Sequence, residues 1–242
     1  TPSMEEKVRS VDRLTRVLSD DQSELLCAPF AQEELNVSLK KGWVHAAPGS
    51  DGLPRSFYKH FWELLSPTLL QLALDALNGA LSNQEFNEGI VALLRKNEVD
   101  APESGHYRPI TLLNTDYKLI AGLVAGRLKI DLEQLVHETQ TGFVPNRLIM
   151  YNLTFIRDVI AWSRVTNSPV YVVFLDFEKA FDRVNWQYRD MVLRKVGYPS
   201  SLGVIAALYH NASVQLSINS LLSPRIIQGR GVRQGCPMSP FI

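Results

Sequence analysis

The stretch "VYVVFLDFEKAFDRVNW", residues 170–186, begins as one kind of segment and ends as another. Val170, Val172, Val173, Phe174 and Leu175 form a short apolar run, rich in β-branched and aromatic residues, of the kind found in strands covered on both faces. Asp176, Glu178, Lys179 and Asp182 then place four charges within seven positions. The pattern predicts a buried strand that delivers a carboxylate at its exit, where solvation is being lost. Such a carboxylate is costly unless it is paired, hydrogen-bonded or bound to a metal. A salt bridge from Asp176 to Lys179 or Arg183, or a cap on the helix that follows, answers that need for any single Asp. Ala180 and Phe181 argue for more. A small and then a flat apolar side chain beside the acid suits a site where something planar sits against a metal-bearing wall.

The 242 residues are enough for one large domain or two modest ones with a real core. The composition, 45% hydrophobic and 21% charged, is that of a soluble globular protein. The apolar stretch 119–126 is far too short to span a bilayer, and "TPSMEEKVRS" lacks the apolar run of a signal peptide. An intracellular location, nuclear or cytoplasmic, is therefore expected, with no membrane partner. Cys27 and Cys236 match no metal-ligand spacing and read as free thiols in a reducing compartment. The net charge is zero but unevenly spread. Residues 1–36 carry eight acids and four bases, whereas residues 191–242 carry five bases (Arg194, Lys195, Arg225, Arg230, Arg233) and no acid. Such a tail is either one wall of a nucleic-acid cleft or an ordinary solvated face.

The periodicities predict an α/β (α+β) chain in which helices outnumber strands. Ser19 caps a helix over "DDQSELL", and "AQEELNVSLKK" makes another that Gly42 ends. After the turn "APGSDGLP" (47–54), Phe57, Phe61, Leu64 and Leu65 share one helical face, and Ser66-Pro67 is expected to start the next helix. "GIVALLRKN" (89–97) reads as a strand and "YRPITLLN" (107–114) as an edge strand, because of Pro109. Asn114, Thr115 and Asp116 are candidate caps of a long helix burying Ile120, Leu123, Val124, Leu128, Leu132 and Leu135. Ile149, Leu153, Ile156 and Ile160 begin an amphipathic helix. The opening stretch is expected to lead into a helix with Phe181, Val184, Tyr188, Met191 and Val192 inward, ended by Gly197 and Pro199. "SVQLSIN" and "SPRIIQG" read as a hairpin pair.

"VFLDFEKAFDRVNW", "GVRQGCPMSP" (231–240) and "YRPITLLNTDYK" (107–118) together resemble the reverse transcriptases of non-LTR retrotransposons, the long interspersed element class. "APGSDGLPRSFYKHFW" and "QTGFVPNR" match that family's fingers blocks in the right order, so the resemblance covers nearly the whole chain. It implies a right-hand polymerase, with fingers and part of a palm built on a small, mainly antiparallel sheet. Residues 1–75 would form an N-terminal helical region with the upstream fingers block, and residues 76–242 the reverse transcriptase domain. The implied activity is RNA-directed DNA polymerisation with an RNA template, a DNA primer and dNTPs, helped by two Mg2+ (or Mn2+) ions. Such hard cations take oxygen ligands.

By the same resemblance Asp176 is the first metal-binding acid, aided by the backbone carbonyl of Phe177. Phe181 is the aromatic gate beneath the incoming sugar. Arg108 contacts nucleotide phosphates, and Lys96 is a possible companion, although "RKNEVD" is less basic than the family's usual sequence. Gln234 and Gly235 lie over the nucleotide and template. Asp182 is either a further ligand or a complement to a helix dipole, and Arg233 either touches phosphate or solvates its loop. Gly49, Asp51 and Gly52 read as a structural turn. Asn146 stands where the family commonly has Gly, and Tyr151 where it commonly has Asp.

The family's aromatic-x-Asp-Asp hairpin, which supplies the remaining carboxylates, is expected downstream of the "GVRQGCPMSP" loop and does not occur by Ile242. Asp20-Asp21 has no aromatic in the right place and reads as a helix start. The 242 residues alone are therefore expected to be inactive, poorly soluble along an exposed sheet edge, and to need a further segment or a partner to complete the palm. The competing reading is a non-catalytic relic or RNA-binding module from a decayed element. Maturase or retron polymerases share the chemistry, but "KAFDRVNW" looks more like the retrotransposon group.

Overall fold

Local sequence signals account for most of the helices in the computed structural model, which describes residues 2–42, 44, 46–80, 84–96, 104–198 and 201–242. Pro199 and Asn97, expected at a helix end and a strand end, lie outside these residues. Ser3 and Ser19 start α1 (Met4–Asp12) and α2 (Asp20–Cys27) through capping boxes closed by Glu6 and Gln22. In α3 (Gln32–Lys41) the Glu34 carboxylate accepts from the Ala31 N–H, and Gly42 follows its last turn.

Pro67 does not begin a helix. The chain breaks at Phe61, between α4 (Arg55–His60) and α5 (Trp62–Leu77), and Pro67 lies inside α5. There it removes the bond a residue with an N–H would make to the Glu63 carbonyl, and its ring crowds that carbonyl.

The central helix is α6 (Thr115–Leu128), with Leu119, Ile120 and Ala121 fully buried. It does not extend to Leu135: Leu132 and Leu135 belong to a separate turn, α7 (Leu132–Leu135). On one side α6 meets α3 closely enough that a Cβ on Gly122 would collide with Ser38 Oγ, which itself donates to the Leu119 carbonyl at 2.8 Å. α11 (Ser201–Tyr209), with Val204, Ile205 and Leu208 fully buried, also packs on α6, and α5 packs on α11 and α3.

Arg127 fastens the lower end of α6. Its guanidinium grips both Glu34 carboxylate oxygens at 2.8 Å, donates to the carbonyls of Leu26, Ala28 and Pro29, and lies over the Phe30 ring. These bonds join the α2–α3 corner to the core, so residues on both sides of position 75 share one apolar interior.

The sheet is small and mainly antiparallel. β2 (Tyr107–Leu113) is the edge and pairs antiparallel with β1 (Glu88–Arg95), Gly89 opposite Leu113 and Pro109 opposite Leu93. β1 pairs in parallel with β3 (Ser213–Ile218), which carries β4 (Leu221–Leu222) and β5 (Ile226–Ile227) antiparallel. A parallel pair needs a long crossover, here everything from β2 to α11. Glu88, buried at the start of β1, is held by both arms of Arg225 at 2.8 Å.

The opening stretch departs from its expectation. Residues 170–177 belong to no helix or strand, and no described backbone bond reaches them. Phe174 and Leu175 are each 83% exposed. The cause lies in pairing. An apolar run becomes a strand only when paired along another strand, and no described ladder includes these residues. The preceding α8 (Ile149–Thr166) forms as a helix yet buries no residue; Leu153 and Ile160, expected inward, are exposed. Beyond it, the single expected helix is two: α9 (Ala180–Arg183) and α10 (Trp186–Val196), separated at Val184-Asn185. Asn185 Oδ1 caps α10 by accepting from the Tyr188 N–H at 2.9 Å, and the fully inward residues are Arg189 and Leu193, not Tyr188, Met191 or Val192.

Candidate functional site

Residues 228–236 join the two halves of the expected site. On one side, the Val232 N–H donates to the Phe181 carbonyl and the Gly231 N–H to the Val184 carbonyl, both at 2.8 Å. Trp186 Nε1 donates to the Gly231 carbonyl at 2.7 Å. On the other side, the Thr111 N–H of β2 donates to the Gln234 carbonyl at 2.7 Å. The segment therefore covers the outer edge of β2 and touches the backbone of the α9 turn. Gly235 has a φ of +117°, and a Cβ there would strike the Thr111 carbonyl oxygen, so both conformation and space call for glycine.

This arrangement links the elements that carry three of the residues singled out by sequence. Phe181, half-buried against the core, is bonded through its carbonyl to the segment that carries Gln234, and Arg108 is exposed on the strand to which that segment is tied. The Gln234 carboxamide makes no hydrogen bond with the described residues and is half-buried. Lys96 sits just past the end of β1, with Nζ donating to the Gly105 carbonyl at 2.9 Å.

Asp176, Phe177 and Asp182 are exposed. Asp176 pairs with nothing described: Arg183, its expected salt-bridge partner, holds Glu178 instead, at 2.6 Å. Phe177 and Glu178 edge an apolar groove of about 940 Å³ between α1, α7, α10 and the C-terminal residues. Asp176 is not joined to the Phe181–Gln234 unit. Among the described residues no three acids, histidines or cysteines cluster to hold a metal. As placed here, one exposed carboxylate with a neighbouring carbonyl does not complete a two-metal site.

Arg233 is placed where neither expected role can operate, because it is 2% exposed. Its Nε donates to Gln228 Oε1 at 2.9 Å and its Nη2 to the Asn87 carbonyl. The guanidinium carbon lies 5.3 Å from the Tyr117 ring centre and 6.0 Å from that of Tyr209. Burial pushes the Tyr209 phenol up to about 12, and the Tyr117 phenol and Cys236 thiol upward too, so these neighbours stay neutral. With Arg225 bound to Glu88, the basic tail keeps three exposed cations, Arg194, Lys195 and Arg230, that pair with no acid among the described residues.

A second junction escaped the sequence reading. Asn114 makes no side-chain cap on α6; its Oδ1 accepts from the Asp51 N–H and the Ser50 hydroxyl, both at 3.4 Å. Thr115 Oγ1 donates to the Leu53 carbonyl at 2.9 Å and Lys118 Nζ to the Ala47 carbonyl at 3.1 Å. The 47–54 turn is thus strapped over the start of α6. Burial, with Asp51 close by, raises Asp116 from 3.8 to about 6. Asx and hydroxyl residues facing a Gly/Pro turn were the available signal. Asn146, in the family's glycine position, adopts a φ of 60°, and Asn is among the few side chains that accept this region.

Residues 94–242 match the family described as reverse transcriptase (RNA-dependent DNA polymerase). The chain is 34% identical, over 92% of its length, to the transposon TX1 uncharacterized 149 kDa protein of Xenopus laevis, covering 17% of that protein. It is 27% identical over 88% of its length to a Pol polyprotein of the type-1 retrotransposable element R2 from Popillia japonica, covering 29%. It is 24% identical over 99% of its length to the probable RNA-directed DNA polymerase from transposon X-element of Drosophila melanogaster, covering 26%. The chain belongs to the reverse transcriptase family, in its non-LTR retrotransposon branch. It spans less than a third of these relatives' lengths. No helix among the described residues is long and apolar enough to cross a membrane.

Proposed function

We propose that this chain is the fingers and first palm portion of an RNA-directed DNA polymerase of a non-LTR retrotransposon, acting on an RNA template, a DNA primer and dNTPs with Mg2+ or Mn2+. One observation carries the reading: the 231–236 segment is bonded at once to the Phe181 turn and to the strand bearing Arg108. Between them the three elements offer what a triphosphate and its sugar need. Arg108 supplies a cation for phosphate, Phe181 an apolar floor under the ribose, and Gln234-Gly235 a carboxamide and a close backbone over the base.

Asp176 is the carboxylate assigned to the metals, with the Phe177 carbonyl beside it. In its present exposed position it serves only once residues 170–177 are paired into a sheet. Residues 1–75 act as the helical buttress of the fingers.

The test is primer extension on an RNA template by the complete product of the native reading frame. Incorporation that vanishes in Asp176→Asn, while template binding persists, is the expected result. The 242 residues alone should extend no primer. Their robust extension, or an Asp176→Asn product with full activity, sinks the assignment.

A further inference from the structure

We infer that Arg233 is a positioning residue for nucleotide capture: its buried guanidinium holds the Gln234-Gly235 loop on the edge of β2. The inference rests on the function proposed above.

An arginine in an apolar interior is retained only if its donors find acceptors. Arg233 has no carboxylate partner among the described residues. Its bonds run to Gln228, which stands before it on the same segment, and to the Asn87 carbonyl, which immediately precedes β1. Its remaining amino group, Nη1, has no hydrogen-bond acceptor, and the guanidinium is bounded by the Tyr117 and Tyr209 rings, where cation–π attraction compensates part of the lost hydration. Tyr209 faces a second buried cation, Arg189, at 4.7 Å. Arg233 therefore spans three elements: the loop itself, the entry to β1, and the α6–α11 aromatic pair.

The next residue, Gln234, is the one whose carbonyl accepts from the Thr111 N–H. Fixing residue 233 sets the register of that single bond. Without it, the loop is held on the β2 side by nothing else in the described backbone.

Two mild variants test this in the complete reading-frame product, Gln228→Ala, which removes a half-buried acceptor, and Arg233→Lys, which keeps the charge and loses the fork. Amide exchange of Thr111 is read against the α6 amides of Leu119 to Leu123, alongside the KM for dNTP. In both variants Thr111 should exchange about tenfold faster with the α6 amides unchanged, and the dNTP KM should rise more than kcat falls. Unchanged Thr111 exchange with a raised KM would make Arg233 a direct phosphate ligand and overturn the inference. Equal acceleration of Thr111 and the α6 amides would make it a general core residue and do the same. If the wild-type product shows no polymerisation while Thr111 responds as expected, the loop anchor stands and the proposed function fails.

Discussion

Two of the segments that carry the resemblance to polymerases are treated by the structure in opposite ways. Residues 228–236 are bonded on both flanks and bury Arg233. Residues 170–177, more apolar and more strand-like in sequence, make no described backbone bond and expose nearly every side chain. Apolar patterning states what a segment requires. Whether the requirement is met depends on an edge or face elsewhere, and the 228–236 segment finds one in β2 while the 170–177 segment finds none.

The contrast can be broken by substitution. The largest effect is expected where the bonded core is densest: Arg127→Met strands the Glu34 carboxylate and three carbonyls, and should cost roughly 3–5 kcal/mol. Thermal melting should then fall by on the order of 10 °C. A shift of only a degree or two would mean that this end of α6 is held by packing alone.

A smaller effect, with a pH signature, is expected at the α6 start. The folded state raises Asp116 from 3.8 to about 6, so the proton favours folding there. Its contribution is present below pH 3.8 and lost as pH rises through about 6. Asp116→Asn mimics the protonated form. At pH 7.5 it should be more stable than the parent by on the order of 2 kcal/mol, and at pH 4 equal to it, as read by urea denaturation. Equal stability at both values would show that the carboxylate is hydrated.

The smallest effect is expected in the open segment. Phe174→Ser should leave the melting temperature within about a degree, corresponding to under ~0.5 kcal/mol, while lowering light scattering on concentration. A clear loss of stability would place Phe174 in a packed interior and erase the contrast.

Helices with self-contained instructions were legible from sequence. Ser19 with Gln22, and Gly42 after Lys41, need only local chemistry. β1 and β2 were legible as strands, and Pro109 restricts β2 to an edge. The site was legible as a set of motifs, and the segment that carries Gln234 is hydrogen-bonded both to the Phe181 turn and to the strand that bears Arg108. What failed depended on distant partners. Arg233 looked like a surface base because nothing beside it in sequence reveals that Tyr117, Tyr209 and Asn87 enclose it. Leu153 and Ile160 looked like core because their spacing is helical, and spacing says nothing about what lies opposite.

The parallel pairing of β1 with β3 also has a consequence in time. Glu88 leaves the ribosome long before Ser213 and Arg225 exist, and at about 5–20 residues per second the gap is on the order of ten seconds. For that interval the β1–β2 hairpin has a bare edge and an unpaired acid at its base. An early chaperone contact should therefore map to β1, and slower codons between α6 and α11 should lengthen it.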